Sequence, residues 1–166
     1  MAGRAGEPQA RPYDRAMRIR PARVEETASL TRLALASKAS WGYDDDFMER
    51  CASELVVRDE HVDDALAYVA TDEDGDVVGF YVLKEPAARE AELDMLFVAS
   101  SHLRSGVGRF LLDDARREAR SRGWTTLLIE SDPFAAPFYE REGAVLIGTS
   151  RSPSTGRELP LFELRL

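Results

Sequence analysis

Cysteine is nearly absent from this 166-residue chain. Cys51 stands alone, so no intrachain disulfide can form and nothing in the sequence marks an oxidising compartment. Long apolar runs are missing too: none approaches the roughly eighteen residues of a membrane span. The N-terminus lacks the apolar segment of a signal peptide. Positive charge is in deficit, with a formal net charge of −8, which argues against nonspecific nucleic-acid binding through a basic face. His61 and His102 have no partner motif, so both read as surface residues and no metal is expected. These absences leave a cytoplasmic enzyme or binding protein, with no nucleic acid and no membrane among its partners.

What is present suits one domain with a sizeable core: 44% hydrophobic and 31% charged residues. Residues 1–16, "MAGRAGEPQARPYDRA", lack apolar periodicity and read as a flexible N-terminal tail, with a single domain over 17–166. The periodicity predicts helices over Val24–Ser37 and about Phe47–Leu55, the second capped by Asp46 with Glu49 reaching back. "LAYVATDEDGDVVGFYVLK" predicts a hairpin turning at Asp74-Gly75. A strand at 92–98, a helix at 107–122 and the strand "WTTLLIES" follow. A short helix in "APFYERE" then ends at Gly143. The last hairpin runs from "AVLIGTS" to "ELPLFELRL", with Pro160 at an edge or strand start. This is an α/β pattern: a mixed, mainly antiparallel twisted sheet flanked by helices, with one parallel pair through the 92–130 crossover.

Charge is unevenly spread. Residues 44–76 hold thirteen acids and two arginines, whereas 102–122 hold six arginines and three acids. Two solvated faces account for this, and so does a cationic substrate approaching opposite an anionic cofactor. The second stretch contains "HLRSGVGRFLLDDA", where Gly106 and Gly108 separate a strand-like run from a helix. Strand, glycine turn, helix start and flanking cations form a site for an anion on free backbone N–H groups. A P-loop is excluded because no lysine follows either glycine, and a dinucleotide fingerprint because Leu111 occupies the third glycine position.

"LDMLFVASSHLRSGVGRFLLDDA" resembles the acetyl-CoA-binding motif of the GNAT N-acetyltransferase superfamily, [QR]-x-x-G-x-[GA] after an apolar strand. "FYEREGA" some thirty residues later resembles the same family's F-Y-E-x-x-G-F segment. Three positions depart from the pattern: Leu103 at the first motif position, Ser100 in place of a frequent Pro, and Phe134 in place of a frequent Asn. The resemblance covers about residues 18–166. It implies the acyl-CoA N-acyltransferase (GNAT) fold, acetyl-CoA as co-substrate, and transfer of an acetyl group to a primary amine by direct attack. A non-catalytic acyl-CoA-binding sensor or regulatory module on the same fold is the rival reading.

By that resemblance the backbone of Leu96, Phe97 and Val98 holds the pantetheine arm. Arg104, Ser105, Gly106, Val107, Gly108 and Arg109 wrap the pyrophosphate. Tyr139 is the general acid for the departing thiolate, and the Val98 N–H holds the oxyanion. Glu92 is the expected base, with Asp94 two residues on along the strand and Glu130 as further carboxylates. The loop of Trp41 and Tyr43 forms the acceptor wall. An aromatic pair beside Asp44, Asp45 and Asp46 suits a cationic amine, although Trp41 as a core lid and the aspartates as caps fit equally. The acceptor is a small-molecule amine or a protein amine. The resemblance also implies a homodimer, for which the C-terminal strands offer an edge.

Overall fold

The computed structural model describes residues 17–85 and 90–166; the expected tail at 1–16 lies outside the described residues. The chain begins with strand β1 (Arg18–Pro21), a short 3-10 turn and helix α1 (Thr27–Ala39). Helix α2 (Asp45–Cys51) and a second 3-10 turn follow, then helix α3 (Asp59–Asp63). The hairpin is β2 (Ala67–Thr71) and β3 (Val77–Lys84), after which come β4 (Glu90–Val98), helix α4 (Val107–Ser121) and β5 (Thr126–Glu130). Helix α5 (Ala136–Arg141), β6 (Val145–Arg151) and β7 (Glu158–Arg165) complete the chain.

Among the described residues seven strands form one sheet in the order β1-β2-β3-β4-β5-β7-β6. Every pairing is antiparallel except β4 with β5, the pair joined through α4. Two cores sit on opposite faces. On one, Val107, Leu111, Leu112, Ala115 and Ala119 of α4 meet Tyr81, Leu127, Ile129 and Phe162 of the sheet. Those α4 residues recur at helical spacing, so a single face of the helix is apolar and goes inward. On the other, Leu30 and Ala34 of α1 and Cys51 and Leu55 pack on Val69, Phe80, Val82 and Met95. Cys51 is 1% exposed and fills space as a small hydrophobe.

Close approach of α4 to the sheet depends on Gly79. A methyl group there would stand 2.9 Å from the Phe97 carbonyl oxygen and 2.9 Å from Leu111 Cδ1. The buried Tyr81 hydroxyl adds a polar tie by donating to Asp114 on α4 over 2.8 Å. Asp74-Gly75 forms the expected hairpin turn, with Gly75 at φ +87°. The Asp72 carboxylate accepts from the Asp74 and Asp76 N–H groups there.

Two expectations are corrected. Helix α2 starts earlier than its apolar pattern implies, and Asp44, not Asp46, caps it by accepting the Phe47 N–H over 2.8 Å. Pro160 is in an interior strand, since β6 covers the outside of β7. It is tolerated because the β5 ladder ends at Glu130 opposite Leu161, and the one bond beyond, from the Ser131 N–H over 2.8 Å, uses the proline's carbonyl and needs no N–H from it. Helix α3 carries no apolar period of its own and has no counterpart in the sequence reading.

Candidate active site

The sheet splits where its one parallel pair should continue. β4 bonds to β5 only across Glu90–Glu92, opposite Thr126–Leu128. β4 nevertheless runs on to Val98 and β5 to Glu130. On the other side of β4 the register slips by one residue: Val82 faces Met95 while Leu83 faces Leu93, leaving Asp94 as the extra residue of a bulge. A bulge bends the strand that contains it, and here the bend coincides with the parting from β5. The part of β4 containing Leu96, Phe97 and Val98 therefore pairs with β3 alone, and one edge of its backbone is free of a strand partner.

This edge leads directly to the N-terminus of α4. Arg104 lies at φ +60° and Gly106 at φ +94°, both in the left-handed region, so the chain turns tightly before the helix begins. Arg104 in that region is a strained residue, the kind of outlier found at ligand sites. Gly106 is the N-cap and no side chain caps the helix, which leaves its first N–H groups for an outside acceptor. Arg104 and Ser105 are exposed, and Val107 anchors the turn in the core.

Gly108 differs from Gly106. A methyl there would meet the Phe138 ring at 3.5 Å and Val98 Cγ2 at 3.7 Å, ordinary contact distances. The folded chain thus tolerates a side chain at 108. Arg109 also departs from expectation: its guanidinium turns to Glu142 at 3.5 Å and Asp113 at 4.0 Å, so only its backbone remains in the turn. Along α4 Arg116 pairs with Asp113 and Arg117 with Asp114, and Arg122 just past its end pairs with Glu118. The basic stretch largely neutralises itself, which is the solvated-face reading of the charge pattern.

Tyr139 projects from α5, with its ring edge-on to Phe138 at 5.0 Å between centroids and tilted against Phe162 at 6.3 Å. The residue is 7% exposed, and burial alone pushes its phenol well above the ordinary tyrosine range. Among the described residues its hydroxyl has no hydrogen-bond partner. Glu92 sits at the last paired position before the split, 4.0 Å from Lys84 Nζ. Asp94 is exposed at the bulge. Crowding raises its carboxyl pKa, the Lys84 and His61 charges oppose this, and Glu130 adds to it. His61, on α3, is half-buried, and its Nδ1 accepts from the Arg58 N–H over 3.1 Å. Glu130 is exposed at the end of β5.

Tyr43 and Trp41 are placed otherwise than as a cage for a cationic amine. The Tyr43 ring stacks on Phe47 at 4.2 Å, and the Arg157 guanidinium lies 5.0 Å from its centre. Its faces are thus taken by the chain's own groups. Its hydroxyl bonds to Asp132 at 2.9 Å and accepts from Arg157 at 2.6 Å. Asp132 also accepts from Arg157 Nη2 at 3.1 Å and the Phe134 N–H at 2.9 Å, with Lys38 Nζ at 3.3 Å. Burial acts to raise the Asp132 carboxyl, but these donors outweigh it and hold it below the usual range. Trp41 stacks on Phe134 at 5.4 Å, both partly open to solvent at 39% and 52%. Asp44 is occupied as the α2 cap. Lys38, Asp132 and Arg157 escaped the sequence reading because they come from three separate segments.

The family model of the acetyltransferase (GNAT) family matches residues 29–144, and the chain belongs to that family. It is an acetyltransferase. Among solved structures it is similar to a GCN5-related N-acetyltransferase from Rhodopseudomonas palustris, at 24% identity and a TM-score of 0.73, covering 91% of this chain and 96% of that one. PaiA N-acetyltransferase from Thermoplasma acidophilum, solved in complex with coenzyme A, matches at 19% identity and a TM-score of 0.74, covering 91% and 99%. A ribosomal-protein alanine N-acetyltransferase from Escherichia coli matches at 22% identity and a TM-score of 0.65, covering 90% and 93%. Among the described residues no helix is long and apolar enough to cross a membrane.

Proposed function

We propose that this protein transfers the acetyl group of acetyl-CoA to a primary amine by direct attack, with no acyl-enzyme. The observation that supports this best is the unpaired edge of β4 running into the uncapped start of α4. An extended pantetheine arm completes that edge as an added strand along Leu96, Phe97 and Val98. The diphosphate lies over the N–H groups from Arg104 to Arg109, and the space beside Gly108 admits it.

In the reaction the amine nitrogen forms a bond to the thioester carbonyl carbon. The Val98 N–H holds the resulting oxyanion. The carbon–sulfur bond then breaks, the Tyr139 phenol passes its proton to the thiolate, and the phenolate takes back the surplus proton that the acylated nitrogen sheds as the intermediate collapses. A phenol kept protonated by burial supplies that proton across the neutral and mildly alkaline range. A free thiol has a pKa near about 8.5, so the leaving group gains from a placed acid. Glu92 takes the proton shed by the attacking ammonium, directly or through water, with Asp94 beside it steadying the positive charge. The free outer edge of β6, with Val145, Leu146 and Ile147 exposed, supports pairing of two copies. Light scattering of the Leu146→Lys variant tests that assembly.

Calorimetry with acetyl-CoA and a colorimetric thiol assay over a panel of amines test the main reading. Binding together with thiol release is expected. Binding without release across the panel would turn the reading to an acyl-CoA-responsive module, and no binding would remove both. Glu92→Gln and Asp94→Asn, compared over pH, separate the two carboxylates: loss of the acidic limb identifies the base.

A further inference from the structure

The cluster at Asp132 has more positive than negative charge. Lys38 and Arg157 both lie within ion-pair distance of this one carboxylate, and among the described residues neither has another acidic partner. Neither cation is far out in solvent: the side chains of Lys38, Arg157 and Asp132 are 13%, 25% and 14% exposed. The Lys38 ammonium has three donors and one ion-pair partner among the described residues, and it lies 5.8 Å and 5.9 Å from the centres of the Tyr43 and Phe47 rings. Arg157 Nε is buried without a hydrogen-bond partner, while its guanidinium lies over the Tyr43 and Phe47 rings. Half-buried cations ordinarily come with matching anions. Here two cations share one carboxylate among the described residues.

The cluster's place in the fold sets these two cations near the end of β5. β4 and β5 are parallel, so the gap between them opens at their C-terminal ends. Asp132 stands two residues beyond the end of β5, and its carbonyl accepts the Ala135 and Ala136 N–H groups that start α5, the helix of Tyr139. Tyr43 and Lys38 bring the α1–α2 segment to the same spot, and Arg157 brings the β6–β7 loop. That loop is pinned from its other side by Glu54, which accepts from the Ser152 hydroxyl and the Ser154 N–H. At the rim the Trp41–Phe134 stack leaves apolar ring surface open.

We infer that this cluster is the acceptor-recognition site, and that the acceptor is a small amino carboxylate with an apolar or aromatic side chain. Its carboxylate pairs with Lys38 and Arg157, its side chain lies on Trp41 and Phe134, and its amine points toward the β4 gap. This rests on the acetyltransferase reading above. It replaces the cationic acceptor suggested by the acidic stretch 44–76. A carboxylate meeting a desolvated cation forms a charge-assisted hydrogen bond, which discriminates against a neutral analogue by about ten- to a hundredfold.

The test uses α- and ω-amino acids, each beside its own carboxamide, with thiol release as the rate. The acids should show kcat/KM at least about tenfold above their amides. In Lys38→Gln the ratio should fall toward one, and Lys38→Arg should keep most of it. Equal rates for acid and amide with the unaltered protein would overturn the inference, as would a Lys38→Gln variant that slows both alike. A catalysis-free arm titrates N-acetyl amino acids and their amides into the CoA-saturated protein. Binding of the acids alone supports the site, and equal or no binding of the pair overturns it. Loss of acetyl-CoA binding itself would sink the parent reading instead, so the two failures stay distinct.

Discussion

Gly106 and Gly108 look alike in the sequence but answer to different demands. Gly106 has a positive φ that only glycine adopts cheaply, whereas Gly108 sits inside the first turn of α4 with room for a methyl. Gly108→Ala should therefore stabilise the free protein by about 0.5 kcal/mol, because alanine loses less backbone entropy in a helix. Alanine is an accepted residue at this motif position, so Gly108→Ala should keep acetyl-CoA affinity. The bulkier Gly108→Leu should weaken it about tenfold or more by crowding the turn against the diphosphate; unchanged affinity of the leucine variant by calorimetry would refute that use of the space. Tyr139 gives the complementary case. Its hydroxyl has no partner to lose among the described residues, so Tyr139→Phe should leave the urea midpoint nearly unmoved. Turnover should nevertheless drop about a hundredfold or more, with acetyl-CoA affinity retained. A stable variant with full turnover would remove Tyr139 from the chemistry.

Helix α4 and the strands beneath it show how an element sets the site. Gly79 lets the helix lie close enough for Leu111 to touch β3, and the same contact borders the Phe97 carbonyl on β4. Gly79→Ala should cost about 1–3 kcal/mol through overpacking. Because the displaced atom belongs to β4, acetyl-CoA affinity should fall along with the thermal midpoint. A drop in stability with full affinity would mean that the free edge of β4 is insensitive to its neighbour. These elements were legible in the sequence for a local reason: the apolar period of α4, the glycine turn and the Asp74-Gly75 hairpin each declare themselves within a few residues. The split between β4 and β5 was not legible, since it depends on a one-residue slip at Asp94 against another strand. The Asp132 cluster was hidden more deeply. Tyr43 is 89 positions from Asp132 and 114 from Arg157, distances over which no spacing rule operates. Tyr43 in isolation read as a ring awaiting a cation, and the fold supplies that cation from its own chain.

At the scale of the whole molecule, Asp132 fastens three segments distant in sequence, so its ionisation should register in global stability. Its carboxyl is held below the usual aspartate range in the fold, so the folded state favours the charged form. A depressed folded value adds stability above the unfolded pKa, near about 3.9, and that addition is lost as pH falls through the folded value. Asp132→Asn deletes the charge while keeping an oxygen for Tyr43 and the Phe134 N–H. At pH 7 it should cost about 3 kcal/mol, since it leaves Lys38 and Arg157 half-buried without their carboxylate. Urea unfolding of both proteins from pH 7 down to pH 3 then gives the sign directly. The gap between them should be full at neutrality and should narrow below about pH 4, as the unaltered aspartate takes up its proton. A gap that stays constant across this range would show that charge plays no part in holding the three segments together. The cation excess around Asp132 would then carry no weight in the argument for an anionic acceptor.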